Sequence, residues 1–158
     1  MKKWLFYVGA VVLVAALGYM PFHGSDVAAL QPVELIRVDY DAGIIKVQTD
    51  TGDMGKGETV EAAFADLKST TAGEVFLDTA DFLLLHTDAL PFLQELTQIL
   101  RPACKVCFVQ EQMDLEKAAE YLRVKRENVT LQEYRTGKGN VPHLIVDEER
   151  LRLVSEEG

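Results

Sequence analysis

Cys104 and Cys107 form a Cys-x-x-Cys motif and are the two side chains best suited to covalent chemistry. In thioredoxin-type proteins the first cysteine begins a helix, whose dipole lowers the pKa of the thiol. Here the motif follows Pro102 and leads into an apolar segment, residues 105–110, which is typical of a strand. Residues three apart on a strand point to opposite faces, so a disulfide would distort it. We interpret both cysteines as buried packing residues, and thiol-redox chemistry stays as an alternative.

The histidines do not predict a metal site. His23, His86 and His143 fall in a predicted linker, at the end of a predicted strand and in a predicted hairpin, and no two have ligand spacing. A structural zinc site needs four ligands, and the chain has no second cysteine pair. We therefore expect no metal and no cofactor.

The Gly-rich segment at residues 52–59, GDMGKGET, differs from a phosphate-binding loop. That loop requires the order G-x-x-x-x-G-K-[ST], whereas here Gly57 follows Lys56. Asp53 and Glu58 add negative charge, which disfavours a phosphate. Residues 50–57 are interpreted as a flexible loop.

None of the serines has the setting of a catalytic nucleophile. Ser25, Ser69 and Ser155 lack the strand–turn–helix context of a nucleophile elbow. With no catalytic residue to name, the expectation is a protein that is not an enzyme.

Residues 4–22 are almost entirely apolar and are about long enough to span the hydrocarbon of a bilayer. Lys2 and Lys3 precede them, which predicts a cytoplasmic N-terminus and an extracytoplasmic C-terminal domain, in a single-pass protein of the cell membrane. Residues 16–18, Ala-Leu-Gly, are also a passable cleavage site. Residues 1–23 are therefore expected to be a signal anchor or, alternatively, the cleaved signal peptide of a secreted protein.

The formal net charge of −9 limits the classes of partner. An acidic domain repels phosphate backbones, which argues against nucleic acid. It also argues against docking on anionic lipid through a basic patch. The expected contact with the membrane is therefore residues 4–22 alone.

The rest of the pattern predicts an α/β fold with a mixed sheet and about three packed helices, after one N-terminal transmembrane or signal helix. Residues 24–32 are interpreted as a linker, 33–128 as the α/β domain and 129–158 as a C-terminal β-hairpin extension. Within the domain, the apolar run at residues 82–85 does not alternate, which is typical of a strand buried on both faces.

Caps and turn residues place the other elements. The first helix follows Thr59, and its apolar positions fall on one face. The second is expected to follow a cap at Asp88 and to end before Pro102, and the third to follow a cap at Asp114. The remaining segments are read as short strands, the first two forming one hairpin and the last two another: residues 33–38, 44–49, 74–77, 130–134, 143–146 and 151–154.

Several segments occur in an order that points to a known family. They are the hairpin with Asp39-Tyr40-Asp41 at residues 33–49, then GKGETVEAAFADL at 55–67, EVFLDTADFLLLHTDAL at 74–90 and VCFVQEQ at 106–112. This order resembles the N-terminal domain of the Ger(x)C family, the C subunits of spore germinant receptors. Residues 142–146 and 151–153 are similar to the start of that family's middle domain.

The resemblance implies a non-enzymatic role in sporulation or spore germination, outside the cytoplasmic membrane and beside other germinant receptor subunits. The family's proteins are lipoproteins, whereas no cysteine directly follows the apolar run here. We therefore expect a short single-domain relative with a peptide anchor. The alternatives are an exported thiol-redox protein that uses Cys104 and Cys107, and a generic anchored scaffold that binds a membrane protein.

Overall fold

The computed structural model describes residues 30–125, 129–147 and 150–155. The predicted anchor or signal peptide, residues 1–23, lies outside them. Among the described residues, no helix combines the length and the apolar composition needed to cross a bilayer.

The fold is α/β with a mixed sheet, as the sequence predicts. The strands of the described part are β1 Leu30–Pro32, β2 Leu35–Asp41, β3 Ile44–Thr49, β4 Met54–Gly57, β5 Glu74–Phe76, β6 Phe82–His86, β7 Lys105–Val109, β8 Val129–Thr130, β9 His143–Asp147 and β10 Arg150–Val154. The main sheet has the order β10-β9-β7-β6-β2-β3-β4, and the short β8 also pairs with β7. β2, β6, β7 and β9 are parallel, and β1 pairs with β5 outside this sheet.

The described residues contain four α-helices, one more than expected. They are α1 Val60–Thr70, α2 Leu93–Ile99, α3 Leu115–Val124 and α4 Leu131–Arg135, with 3-10 turns at Leu77–Thr79 and Thr87–Phe92. Buried side chains of α1, α2 and α4 pack on one face of the sheet, called here the first face. Those of α3 pack on the opposite, second face.

β6 lies between β2 and β7 and is covered on both faces, which confirms the prediction for residues 82–85. Leu83 and Leu85 belong to the core of the first face, and Phe82 and Leu84 to that of the second. All four side chains are buried. The backbone groups of β6 form hydrogen bonds with two parallel neighbours, β2 and β7. Helices bury its apolar side chains on both faces of the sheet.

The segment expected to be a flexible loop contains β4, which packs closely against α1. A Cβ atom on Gly55 would lie 2.7 Å from the Cα of Leu67, and one on Gly57 would lie 2.5 Å from the backbone nitrogen of Ala63. Both distances are shorter than van der Waals contact, so the strand and the helix can approach this closely only through glycine. Thr59 caps α1 as predicted, because its side chain accepts a hydrogen bond from the backbone N–H of Ala62 at 3.1 Å.

Two helix starts differ from the sequence expectation. Asp88 does not cap the second helix: it lies in the first turn of the 3-10 segment, and the side chain of His86 accepts its N–H instead. Pro91 lies inside this 3-10 turn, and α2 begins only at Leu93. A proline has no N–H to donate, which suits a short 3-10 turn before the regular helix.

Residues 130–134 were expected to be a strand but form most of α4. Thr130 and Glu133 make a capping box, in which each side chain accepts the other residue's backbone N–H. The Thr-x-x-Glu spacing is the signature of a helix start, so the strand β8 ends at Thr130 and the helix begins at Leu131. Residues 30–32, inside the expected linker, form the short strand β1.

The other predicted elements are confirmed. β2 pairs with β3, and β9 pairs with β10, each as an antiparallel hairpin. The side chain of Asp114 caps α3 by accepting the N–H groups of Glu116 and Lys117. Arg123 at the end of α3 forms an ion pair with Glu34, just before β2, and so ties the helix to the start of the sheet.

We expect Gly57→Ala to lower the free energy of unfolding by about 1–3 kcal/mol, because the added methyl group overlaps the backbone of α1. Urea denaturation followed by circular dichroism measures the change. Lys56→Ala is the matched control on the same strand, where the side chain is exposed, and it should change stability by less than about 0.5 kcal/mol. Equal effects of the two substitutions would show that the close approach is not required.

Candidate functional site

The carboxyl ends of β2, β6 and β7 meet at one edge of the sheet, because the three strands are parallel neighbours. The chain after β6 leads to α2 on the first face, whereas the chain after β7 leads to α3 on the second face. Adjacent strands whose following segments leave toward opposite faces create a crevice at the carboxyl edge, where open α/β sheets bind ligands. This edge is therefore the first place to look for a site.

A cleft of about 280 Å³ occupies this edge. We call it the carboxyl-edge cleft. Its lining comes from all three strand ends and from β3: Arg37, Asp39, Tyr40, Asp41, Lys46, His86, Asp88, Gln110 and Gln112. Five of these side chains are charged, those of Arg37, Asp39, Asp41, Lys46 and Asp88, so the cleft is strongly polar.

Arg37 lies at the base of the cleft and is only 4% exposed. Its Nε donates to both carboxylate oxygens of Asp39, at 3.0 and 2.8 Å, and its Nη2 donates to Oδ1 at 2.8 Å. Its Nη1 donates to the backbone carbonyl of Glu111, in the segment after β7, at 2.8 Å. One guanidinium thus holds the wall of the cleft on β2 and the wall after β7 together.

A second ion pair lies near the rim. Lys46 on β3 is the Cα partner of Asp39 on β2, and its Nζ donates to Oδ2 of Asp41 at 3.2 Å. The positive side chain of Lys46 therefore lies between the two carboxylates of the neighbouring strand. This arrangement is favourable because opposite charges on neighbouring strands attract.

His86 is held at the end of β6 by the turn that follows. Its Nδ1 accepts the backbone N–H of Asp88 at 3.3 Å, and the Asp88 carboxylate lies 3.5 Å from the same nitrogen. When Nδ1 is an acceptor, the neutral ring carries its hydrogen on Nε2. His86 can therefore donate one hydrogen bond from Nε2.

Tyr40 connects the hairpin to the 3-10 turn after β6. Its ring lies 5.0 Å from that of Phe92, centroid to centroid, in a tilted arrangement typical of aromatic pairs. This contact fixes Asp39 and Asp41, on either side of Tyr40, relative to His86 and Asp88.

The cleft offers fixed hydrogen-bond donors and acceptors. Carboxylates of Asp39, Asp41 and Asp88 accept, Arg37 and Lys46 donate, and the amides of Gln110 and Gln112 do both. Within the described residues, no three His, Cys, Asp or Glu side chains are arranged to hold a metal ion. The arrangement suits binding of a polar ligand.

A larger groove, of about 480 Å³, lies between the 3-10 turn before α2 and α4. Its lining includes Leu90, Pro91, Leu93 and Tyr134, and Arg135 is its one charged side chain. Because it lacks the converging charged groups of the carboxyl-edge cleft, we take the smaller cavity as the candidate site.

The two cysteines lie on opposite faces of the sheet, as predicted from their spacing. Cys104, just before β7, belongs to the core of the first face, and Cys107 to that of the second. Both are fully buried, and burial raises the pKa of each thiol to about 12. Thiol–disulfide exchange needs an accessible thiolate, so this environment disfavours a redox role.

The other residues considered from the sequence are dispersed. Of the histidines, His86 lies in the cleft and His143 packs edge-on against Phe108 at 5.4 Å, whereas His23 is outside the described residues. The hydroxyl of Ser69 donates to the carbonyl of Asp66 within α1. Ser25 is outside the described residues, and Ser155 is an exposed residue after β10.

Sequence reasoning missed the cleft, although its signals are present. Each apolar strand is followed by polar residues: Asp39 and Asp41 end β2, His86 ends β6, and Gln110 follows β7. Placing them together requires the order of the strands, which local pattern does not give. Comparison of the chain with protein-family models, with curated proteins and with solved structures finds no match.

We expect Arg37→Met to lower the free energy of unfolding by about 2–4 kcal/mol, because Asp39 would lose its partner and three hydrogen bonds. The double variant Arg37→Met/Asp39→Asn also removes the unpaired charge of Asp39. Its loss of unfolding free energy should be smaller than the sum of the losses in the two single variants. Denaturant titrations of the four proteins of the cycle measure the coupling.

Lys46→Met is the matched control for this pair, since it breaks the exposed contact with Asp41. It should cost no more than about 1 kcal/mol. A cost equal to that of Arg37→Met would contradict the structural role assigned to the buried pair.

The thiols should make stability depend on alkaline pH. The pKa of each thiol rises from an ordinary value of 9.0 to about 12 on folding. The neutral thiols therefore make their full contribution to the stability of the fold below pH 9. It is lost as the pH rises toward 12, by about 1 kcal/mol per pH unit for each thiol.

Cys104→Ala/Cys107→Ala is the control, because its other alkaline groups are unchanged. Urea denaturation between pH 8 and pH 11 should show a steeper loss of stability in the natural chain than in the variant. Parallel curves would mean that the thiols ionise normally, which would support the redox alternative.

Proposed function

We propose that this chain is a membrane-anchored, non-enzymatic domain outside the cytoplasm that acts as an accessory or assembly partner in sporulation or spore germination. The proposal combines the apolar segment at residues 4–22 with the resemblance to the N-terminal domain of germinant receptor C subunits. Its partner would be another membrane protein, such as a germinant receptor subunit.

The observation that carries the proposal is the position of the resembling segments in the fold. The hairpin with Asp39-Tyr40-Asp41 is β2–β3, the Gly-x-Gly-x-Thr segment is the junction of β4 with α1, and the apolar run is β6. β6, β2, β3 and β4 are consecutive neighbours in the sheet. VCFVQEQ contains most of β7, the next strand, so the resembling segments cover five consecutive strands of the main sheet, which supports a shared domain architecture.

The tether to the proposed anchor is short. Seven residues, 23–29, separate the apolar segment from β1, and a fully extended chain of that length spans about 25 Å. The contact of Val33, which follows β1, with Thr79 before β6 puts the start of the domain near the amino ends of β2 and β6. The carboxyl-edge cleft is at the opposite ends of these strands, away from the point where the proposed anchor joins the domain.

The two other candidate functions are less well supported. An exported thiol-redox protein would need accessible thiols, whereas Cys104 and Cys107 are buried on opposite faces. A generic anchored scaffold is compatible with the same fold and differs only in the identity of its partner.

Chemical crosslinking of the tagged full chain in intact forespores, followed by purification from their membranes, tests the proposal. We expect germinant receptor subunits of the A and B types among the crosslinked proteins, and a transcriptional reporter of the gene should rise in the forespore. The same tagged chain expressed in vegetative cells is the control. Equal expression in vegetative cells, or crosslinks only to unrelated membrane proteins, would contradict the sporulation role and favour the scaffold.

A further inference from the structure

We propose that the carboxyl-edge cleft binds a neutral, hydroxyl-rich ligand of the sugar class. This goes beyond the proposed function, which concerns a protein partner, and is tested without that partner. It follows from the charge balance of the cleft, the hydrogen-bonding groups at its rim and its size.

The charge balance disfavours a charged ligand. Both cations of the cleft already have a carboxylate partner, Arg37 with Asp39 and Lys46 with Asp41. An anionic ligand would have to take one of these cations from its partner and would also face Asp88. A cationic ligand would have to compete with Arg37 for Asp39 and with Lys46 for Asp41, and only Asp88 would be open to it. A neutral ligand disturbs neither ion pair.

The rim keeps hydrogen-bonding capacity after the ion pairs have formed. Asp41 uses Oδ2 for Lys46, and its side chain is 72% exposed, so Oδ1 can accept another hydrogen bond. Asp88 is 68% exposed, and Nε2 of His86 can donate. The exposed amides of Gln110 and Gln112 can donate and accept.

Hydroxyl groups fit this set because each one donates one hydrogen bond and accepts others. A ring that carries several hydroxyls can donate to Asp41 and Asp88 while it accepts from His86 and a glutamine amide. Arg37 holds the two walls of the cleft together, because it bonds to Asp39 on β2 and to the Glu111 carbonyl after β7.

The size of the cleft limits the ligand. Its volume of about 280 Å³ is at the lower end of the range for small-molecule pockets. It can take a single sugar ring, either a free monosaccharide or one unit of a glycan that extends into solvent.

The test uses the full chain in a detergent without a sugar headgroup, because glycosidic detergents would compete. Saturation-transfer NMR measures binding of three probes that share one ring: glucose, the cationic glucosamine and the anionic glucuronate. We expect glucose to bind about tenfold or more tightly than either charged probe, the equivalent of one hydrogen bond to a charged group. No binding of glucose, or tighter binding of a charged probe, would overturn the proposal.

Variants assign the binding to the cleft. Asp41→Asn and Gln110→Ala should each weaken glucose binding, and both positions are exposed, so the fold is preserved. Gln98→Ala, at an exposed position on α2, is the matched control and should bind like the natural chain. Equal binding by all four proteins would place the sugar elsewhere and overturn the assignment. The result does not depend on any receptor subunit, so it can fail or succeed independently of the crosslinking experiment.

A second arm distinguishes a free sugar from a glycan unit. N-acetylglucosamine and its linear tetramer are compared under the same conditions. Tighter binding by the tetramer would indicate an extended glycan, and equal affinities would indicate a free monosaccharide. Once glucose binding is established, either result supports a neutral sugar ligand, and the comparison decides only whether the ring is free or part of a glycan.

Discussion

Strand β6 has to be buried on both faces of the sheet, and this requirement determines on which face each helix packs. Its first four side chains, Phe82 to Leu85, are apolar, so water must be excluded from both sides of the sheet at this position. α1 and α2 cover one side and α3 covers the other. To reach their faces, the segments after β6 and β7 leave the sheet in opposite directions, and the crevice between them is a consequence. The demands of the core thus create the polar cleft at the carboxyl edge.

The cleft depends on a costly interaction. A buried guanidinium is unfavourable unless it is fully paired, and Arg37 meets this condition with the Asp39 carboxylate and the Glu111 carbonyl. An apolar residue at position 37 would fill the same space without that cost, so packing alone does not explain an arginine. What the arginine adds is a fixed geometry, because it joins two strand ends that share no backbone pairing: β2 and the segment after β7 lie on either side of β6.

The parts of the fold that local rules determine could be predicted from the sequence. Thr59 and Asp114 cap their helices, the run at residues 82–85 is the central strand, and the spacing of Cys104 and Cys107 places them on opposite faces. The errors occur where a local signal competed with another. The glycines that let β4 contact α1 hid the strand in the sequence, and the short strand β8, which ends at the cap residue Thr130, hid the start of α4. The cleft could not be predicted, because Arg37, His86 and Gln110 come together only through the order of the strands.

The segments that resemble the germinant receptor family do not all bear on function to the same degree. Gly55 and Gly57 are required by the close approach of β4 and α1, and Thr59 by the helix start, so any domain with this junction would need similar residues. The packing of this domain is enough to explain these three residues. Asp39 and Asp41 are different, because in addition to pairing with Arg37 and Lys46 both carboxylates line the cleft. The Asp-Tyr-Asp hairpin is therefore the place where the resemblance and the candidate site coincide. If the likeness extends from fold to function, these two carboxylates are the residues through which it does so.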